Sequence, residues 1–216
     1  RSVSRGLGDG YKRQVLTMGP PKLEGPLLEL LARGANRAVL ITDRLMAGAD
    51  TRATARALAS AAEKLGPFDA VFCGCKAIDG ETGQVPGELA AALGLPCISN
   101  AEKVEAAGDE LLVTRRLEDG VQNLTVSGSA TVSFSSYSYP LRLAGILGMR
   151  RARKTPVEIL TAADLGLTPE DCGLKGSLTK VVAMESRFPG LRRGPKETDL
   201  DAGVQNLRVL LREVRP

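Results

Sequence analysis

Apolar residues in the first hundred positions alternate between short continuous runs and stretches with helical spacing. Continuous runs are typical of strands buried on both faces of a sheet, and apolar positions three or four apart are typical of amphipathic helices. The pattern predicts strands at 14–18, 38–42 and 69–74, and helices at 23–31, 52–65 and 88–93. This alternation with short connections predicts a Rossmann-like α/β fold with a parallel sheet.

After residue 100 the β-prone runs follow one another without intervening helices. Runs at 111–117 and 121–127 flank Glu118-Asp119-Gly120 and predict a β-hairpin insertion. A strand is expected at 130–135 and a helix with a basic end at 141–153. Further elements are short strands at 157–160 and 178–184 and an amphipathic helix at 202–214.

These elements divide the chain into three parts. Residues 1–13 are polar and Gly-rich, which predicts a ragged, flexible start. Residues 14–185 form the predicted α/β domain. Residues 186–199 combine Pro, Gly and charge, so we expect 186–216 to be a C-terminal arm whose final helix docks on a partner subunit.

Composition excludes several classes of function. The 216 residues contain no His, which excludes a Ser-His-Asp triad, a Cys-His dyad and His-ligated metal, and we assign no catalytic or metal-binding residue. Aromatic residues make up only 3%, which argues against base stacking on nucleic acid despite a net charge of +4. No apolar run is long enough to span a membrane. The four cysteines are interpreted as reduced thiols of a cytoplasmic protein.

The loop 77–87 (AIDGETGQVPG) carries the strongest sign of a binding site. It follows a predicted buried strand and precedes a helix, the position at which open parallel sheets bind ligands. Glycines at 80 and 83 would let backbone N–H groups approach an anion, and the helix start favours negative charge. A nucleotide phosphate and a plain solvent turn explain this spacing equally well.

Two other strand ends should lie on the same edge of the sheet. Met46–Thr51 joins a strand to a helix, with Asp50 as the expected helix cap. Thr17–Pro20 follows the first strand. Three junctions rich in Gly and hydroxyl groups make a shared cleft the natural expectation.

Several long segments together resemble the beta subunit of electron transfer flavoprotein. They extend in order over residues 14–185 and include the hairpin VTRRLEDGVQNLTV at 113–126. The other segments are TMGPP at 17–21, ARGANRAVLITDRLMAGADTRATARALA at 32–59, KLGPFDAVFCGCKAIDGETGQVPGELAAALGLP at 64–96 and YPLRLAGILGMRRARKTPVEILTAADLGL at 139–167.

The resemblance implies a fold like the adenine nucleotide alpha-hydrolases and a heterodimer with an alpha subunit. The cofactor would be FAD, as in electron-bifurcating members that accept hydride from NADH, or alternatively AMP. The loop DGETGQV looks more like the bifurcating type. An acyl-CoA dehydrogenase or similar flavoprotein would be the electron-transfer partner.

The resemblance also assigns site residues. Met18 and Gly19 would line the adenosine end, and Asp50 and Thr51 would approach the phosphates of the second nucleotide. Leu165 would anchor a partner dehydrogenase. The residues expected to cradle phosphate are Asp79, Gly80, Glu81, Thr82, Gly83, Gln84 and Val85.

Departures from the family pattern leave two alternatives open. The family's first strand, which is central in its sheet, is not recognised here, and we expect an incomplete chain that lacks a sheet centre and one wall of the pocket. Cys75-Lys76, Arg116 and Ser129 also differ from the family's usual residues. The alternatives are a nucleotide-binding regulatory protein of the same fold and a structural subunit that has lost its nucleotide.

Overall fold

A computed structural model describes residues 12–78, 80–135, 138–183 and 198–213. The strands are β1 Gln14–Met18, β2 Arg37–Ile41, β3 Ala70–Gly74, β4 Cys97–Ala107, β5 Glu110–Leu117, β6 Gly120–Ser127, β7 Ala130–Phe134 and β8 Glu158–Leu160. The α-helices are α1 Glu24–Ala32, α2 Thr51–Leu65, α3 Val85–Ala92, α4 Ile146–Ala152, α5 Gly173–Gly176 and α6 Leu200–Glu213. Contacts divide the chain between Lys180 and Val181, and α6 lies in the second unit.

The predicted α/β fold class is confirmed, but the strands form two sheets. In the first sheet β2 lies between β1 and β8, and both pairings are parallel. The second sheet has the order β3-β7-β4-β5-β6. Its β3–β7 and β4–β7 pairs are parallel, and the predicted hairpin β5–β6 extends it in antiparallel pairing.

The alternating side chains of β2 build the core on both faces of the first sheet. Ala38 and Leu40 pack against α1 and α4, whereas Val39 and Ile41 pack against α2. All four residues are fully buried. A parallel strand covered by helices on both sides is continuously apolar for this reason. The packing fixes β2 between the two helix layers, against Ala57 and Ala61 of α2 on one face.

The observed elements differ from the predicted ones in three places. The helix predicted at 141–153 begins only at Ile146, because residues 140–144 are not helical and Gly145 is the N-cap. Residues 178–183 form no strand, because the backbone N–H groups of Leu178 and Thr179 bond to the Asp50 carboxylate instead of to a neighbouring strand. The eleven-residue strand β4 was not predicted.

Parts of the other predictions lie outside the described residues. These parts are most of the start at 1–13, most of the linker at 186–199, and Asp79. Within the described ranges, no helix is long and apolar enough to cross a lipid bilayer.

The contact between α1 and α4 depends on the absence of a side chain at Gly148. A Cβ at this position would overlap the carbonyl oxygen of Ala32. We expect Gly148→Ala to lower the free energy of unfolding by about 1–2 kcal/mol, since overpacking forces the helices apart. Urea denaturation measures this change. Gly145→Ala, where a Cβ would meet no atom within 4 Å, is the matched control, and equal effects of the two substitutions would contradict the packing argument.

Candidate functional site

The segment between β3 and α3 contains two residues with left-handed backbone. The φ angle is +51° at Glu81 and +64° at Gly83. A Cβ on Gly83 would lie 3.3 Å from the carbonyl oxygen of Cys75, so the loop folds back closely on its own beginning. Both features favour glycine at this position. All five residues from 80 to 84 are exposed, and a ligand can therefore reach their backbone.

The helix that follows this loop begins without a side-chain cap. Val85 is its first residue, Pro86 occupies the first turn, and Gln84 at the N-cap position makes no capping hydrogen bond. The start of α2 differs, because Asp50 caps it through a hydrogen bond from the Ala53 N–H to Oδ1 at 3.0 Å. Uncapped N–H groups and the helix dipole make the start of α3 the better place for an anion.

The starts of α2 and α3 are joined through Thr51. Its hydroxyl donates to Gln84 Oε1 at 3.2 Å and to Glu88 Oε1 at 3.1 Å, two acceptors that share one hydrogen. The structure thus brings two predicted site residues, Thr51 and Gln84, into direct contact. A phosphate that accepted a hydrogen bond from Thr51 would have to displace one of these acceptors.

Glu88 belongs to this site, although the sequence analysis did not select it. Its Oε2 atom is buried and has no hydrogen-bond partner among the described residues. An acidic residue in the first turn of a helix is usual, so the sequence gave little reason to single it out. Glu81 forms an ion pair with Lys76 at 3.2 Å across the same loop. Side-chain charge near the loop is therefore mixed, and backbone dipoles are its consistent source of positive potential.

Asp50 is occupied by the protein itself. Its Oδ2 accepts hydrogen bonds from the backbone of Leu178 at 2.8 Å and of Thr179 at 3.0 Å, and from the Thr179 hydroxyl at 3.1 Å. Desolvation raises the pKa of Asp50, but the hydrogen bonds outweigh it and leave this pKa below its ordinary value. Its predicted approach to nucleotide phosphates remains a prediction, since the carboxylate holds a cap and a chain segment.

Met18 and Gly19 lie at the carboxyl end of β1. Met18 packs partly against the core beside β2, and the Gly19 N–H continues the strand pairing with Ile41 at 3.0 Å. Both share a sheet edge with the end of β2, as predicted, but the prediction that the loop after β3 follows a strand on this same edge was wrong, because β3 belongs to the second sheet. In the described part of the chain, no hydrogen bond connects either residue to the loop after β3.

Leu165 ends a short 3-10 helix, Ala163–Leu165, that Gly166 terminates in left-handed conformation. Its side chain is half-buried and packs against the core between β2 and α2. The neighbouring Asp164 carbonyl accepts a hydrogen bond from Lys64 at 2.8 Å. The assignment of Leu165 to partner binding stays a prediction.

The residues that depart from the family pattern contribute local contacts. Arg116 donates to both oxygens of Glu102, at 2.6 and 3.1 Å, and the Ser129 hydroxyl donates to the Phe68 carbonyl at 2.8 Å.

Near the end of β3, burial and the neighbouring Cys97 raise the pKa of the Cys73 thiol to about 11. Cys73 is therefore protonated at neutral pH and is a poor nucleophile.

Comparison with known proteins identifies one family over most of the chain. The electron transfer flavoprotein domain model matches residues 4–165. Electron transfer flavoprotein subunit beta of Thermoanaerobacterium thermosaccharolyticum is 43% identical over 92% of this chain and 76% of its own length. Caffeyl-CoA reductase-Etf complex subunit CarD of Acetobacterium woodii is 36% identical over 77% of this chain and 64% of its own length. Acryloyl-CoA reductase electron transfer subunit gamma of Anaerotignum propionicum is 35% identical, with 79% and 67% covered.

Proposed function

This chain belongs to the electron transfer flavoprotein family, among its beta subunits, and we propose that it holds an adenine nucleotide against the loop between β3 and α3. The family role in electron transfer follows from membership. The identity of the nucleotide, the electron donor and the acceptor are the proposed parts.

The uncapped start of α3 behind the Gly83 turn carries this proposal. It combines helix N–H groups, a favourable dipole and an exposed loop at the carboxyl edge of the parallel strands. The Thr51 hydroxyl reaches the same place from α2. A phosphate group matches these donors better than a cation does.

The residues present fit a phosphate-containing cofactor. Only glycine is accommodated without strain at position 83, where a side chain would press on the Cys75 carbonyl. Gly83 and Gln84 would hold phosphate through backbone N–H groups, and Thr51 would donate from the side. FAD, when bound, would supply the redox chemistry through its isoalloxazine ring. The chain's own part would be to bind the nucleotide and fix its position.

We propose FAD as the nucleotide, with AMP as the alternative. The loop Gly80–Val85 and its flanking residues resemble the bifurcating type, in which the second flavin would receive hydride from NADH. Two relatives are named as a subunit of a caffeyl-CoA reductase-Etf complex and an electron transfer subunit of acryloyl-CoA reductase. By analogy we propose an alpha subunit and a flavoprotein acting on acyl-CoA substrates as partners. The four cysteines form no disulfide bond in the described part of the chain, which fits a reducing cytoplasm.

Nucleotide content tests this proposal directly. We expect the complex with the neighbouring alpha subunit, once purified and denatured, to release two FAD molecules per heterodimer. Mass spectrometry of the released ligands, normalised to protein, makes this measurement.

The other outcomes separate the alternatives. One FAD with one AMP would indicate a carrier with a single flavin. One FAD without a second nucleotide would contradict the site and favour a structural subunit. Nucleotide bound by the isolated chain, with no stable complex formed, would favour a regulatory protein.

A further inference from the structure

Four arginine side chains come together around the turn between α1 and β2. A Cβ on Gly34, inside this turn, would lie 3.3 Å from Nη1 of Arg142 and 3.9 Å from Nη2 of Arg13. Arg151 extends Nη2 toward the carbonyl oxygen of Leu31 at 3.5 Å, and the same oxygen accepts a hydrogen bond from the Gly34 N–H at 3.1 Å. The arginine cluster consists of Arg13, Arg33, Arg142 and Arg151.

Acidic side chains do not balance the charge of this cluster. Arg33 lies 3.4 Å from Glu29, which is the one ion pair that the cluster makes within the described ranges. The guanidinium groups of Arg13 and Arg142 have no hydrogen-bond acceptor in that part of the chain, where Arg13 donates only through its backbone N–H. Nε of Arg33 is buried and has no partner there. Like charges repel one another, so an anion placed between the guanidinium groups would lower the energy.

The end of α1 does not explain why these side chains converge. Cations are favourable near the C-terminus of a helix, where backbone carbonyl groups lack partners. The carbonyl groups of residues 29–31, however, already accept hydrogen bonds from the backbone N–H groups of residues 33–35, at 3.0 to 3.2 Å. Arg13 and Arg142 are therefore not needed as caps, and their guanidinium groups remain available for a ligand.

The charge and shape of the cluster favour a phosphate group. Four arginines and the single carboxylate of Glu29 leave a net charge of about +3. A phosphate monoester carries up to two negative charges and three strong acceptor oxygens, whereas a carboxylate carries one charge on two oxygens. Guanidinium groups donate paired N–H groups that match such oxygens. The absence of a side chain at Gly34 leaves room beside Arg13 and Arg142.

We propose that the arginine cluster binds the phosphate group of a free ion or of a small phosphomonoester. Arg13 and Arg142 donate to the phosphate oxygens, and Arg33 and Arg151 add positive charge beside them. This inference does not rest on the nucleotide proposal. The cluster lies at the amino ends of β1 and β2, whereas the proposed nucleotide loop follows the carboxyl end of β3.

Calorimetric titration of the full chain with inorganic phosphate tests the proposal, with potassium chloride at equal ionic strength and sodium acetate as control titrants. We expect a single phosphate ion to bind, and Arg142→Gln to weaken its binding roughly tenfold. Arg150→Gln is the matched control. It removes the same charge from an exposed residue of α4 that does not approach the Gly34 position within 4 Å, and it should retain the affinity.

Thermal unfolding separates ligand binding from a structural role of Arg142. In chloride, the loss of this charge relieves repulsion with Arg13, so the Tm of Arg142→Gln should equal or exceed that of the wild type. Phosphate should raise the Tm of the wild type and leave that of Arg142→Gln unchanged. A lower Tm of Arg142→Gln in chloride would instead indicate a structural cap and would overturn the proposal.

Gly83→Asp separates this site from the nucleotide loop. We expect phosphate binding to persist in this variant. Phosphate binding that Gly83→Asp removes and Arg142→Gln leaves intact would assign the ion to the loop after β3, which overturns this inference and supports the nucleotide site. Loss of nucleotide binding by the nucleotide loop alone would leave the arginine cluster unaffected.

Titration with glycerol 3-phosphate identifies the source of the phosphate group. Binding tighter than that of inorganic phosphate supports a phosphomonoester as the occupant, and weaker binding supports the free ion. Three further results would overturn the proposal. They are no phosphate binding beyond the chloride control, equal affinity in the wild type and Arg142→Gln, and acetate binding as tight as that of phosphate.

Discussion

Gly83→Asp is expected to abolish binding of the nucleotide that this chain holds, and the FAD of the alpha subunit should remain in the complex. The substitution adds a side chain where φ is +64° and where a Cβ lies 3.3 Å from the Cys75 carbonyl, and it adds a negative charge beside the proposed phosphate. We expect affinity to fall at least a hundredfold, which corresponds to roughly 3 kcal/mol. Nucleotide released from the purified variant, quantified by mass spectrometry, gives the result.

Gly94→Asp is the matched control for this prediction. Gly94 also has a φ angle of +64°, but it follows the other end of α3, and a Cβ there meets no atom within 4 Å. It adds the same charge and similar backbone strain away from the loop. Normal nucleotide content in Gly83→Asp, or equal loss in the two variants, would refute the assigned site.

Asp50→Ala is expected to have the largest effect on stability. The substitution removes the cap of α2 and three hydrogen bonds that hold Leu178 and Thr179. Loss of a cap costs about 0.5–2 kcal/mol, and a hydrogen bond to a charged group contributes comparably. We expect the free energy of unfolding to fall by about 3 kcal/mol, after allowance for the exposure of the carboxylate. Urea denaturation at neutral pH measures it.

Asp50→Asn separates the two roles of this side chain. The amide retains an acceptor for the Ala53 N–H but replaces the second oxygen with a donor, so Leu178 and Thr179 should be released while α2 stays capped. We expect an intermediate loss of stability and faster hydrogen exchange at Leu178 and Thr179. A loss as large as that of Asp50→Ala would show that the cap contributes little.

The stability lost in Asp50→Ala is expected to depend on pH in a defined direction. Hydrogen bonds hold the pKa of Asp50 below its ordinary value of 3.8 in the folded protein. The carboxylate therefore contributes its full stabilisation above pH 3.8, and this contribution is lost as the pH falls through the lower folded-state pKa. The stability difference between wild type and Asp50→Ala should stay constant above pH 3.8 and should narrow as the pH falls from 3.8 through the folded-state pKa. A difference that is constant down to about pH 2 would contradict this linkage.

The sequence by itself determined the type and order of most elements. The run at 14–18 coincides with β1, and the hairpin around Glu118-Asp119-Gly120 lies where its turn residues indicated. The side-chain periods of strands and helices are local properties of the chain. They can therefore be recognised in the sequence without knowing which elements pack together. The glycine at 83 was likewise recognisable, because turn chemistry is local.

Only the tertiary structure decided which strands pair and which side chains meet. Three features depend on residues far apart in sequence. They are the placement of β1 and β3 in different sheets, the pairing of β4, and the contact of Thr51 with Glu88. Asp50 and Thr179 are separated by 129 positions, and their hydrogen bonds replaced the strand that the apolar residues near 178 had indicated. A local pattern specifies the face that a residue presents, but the partner on that face is fixed by packing of the whole chain.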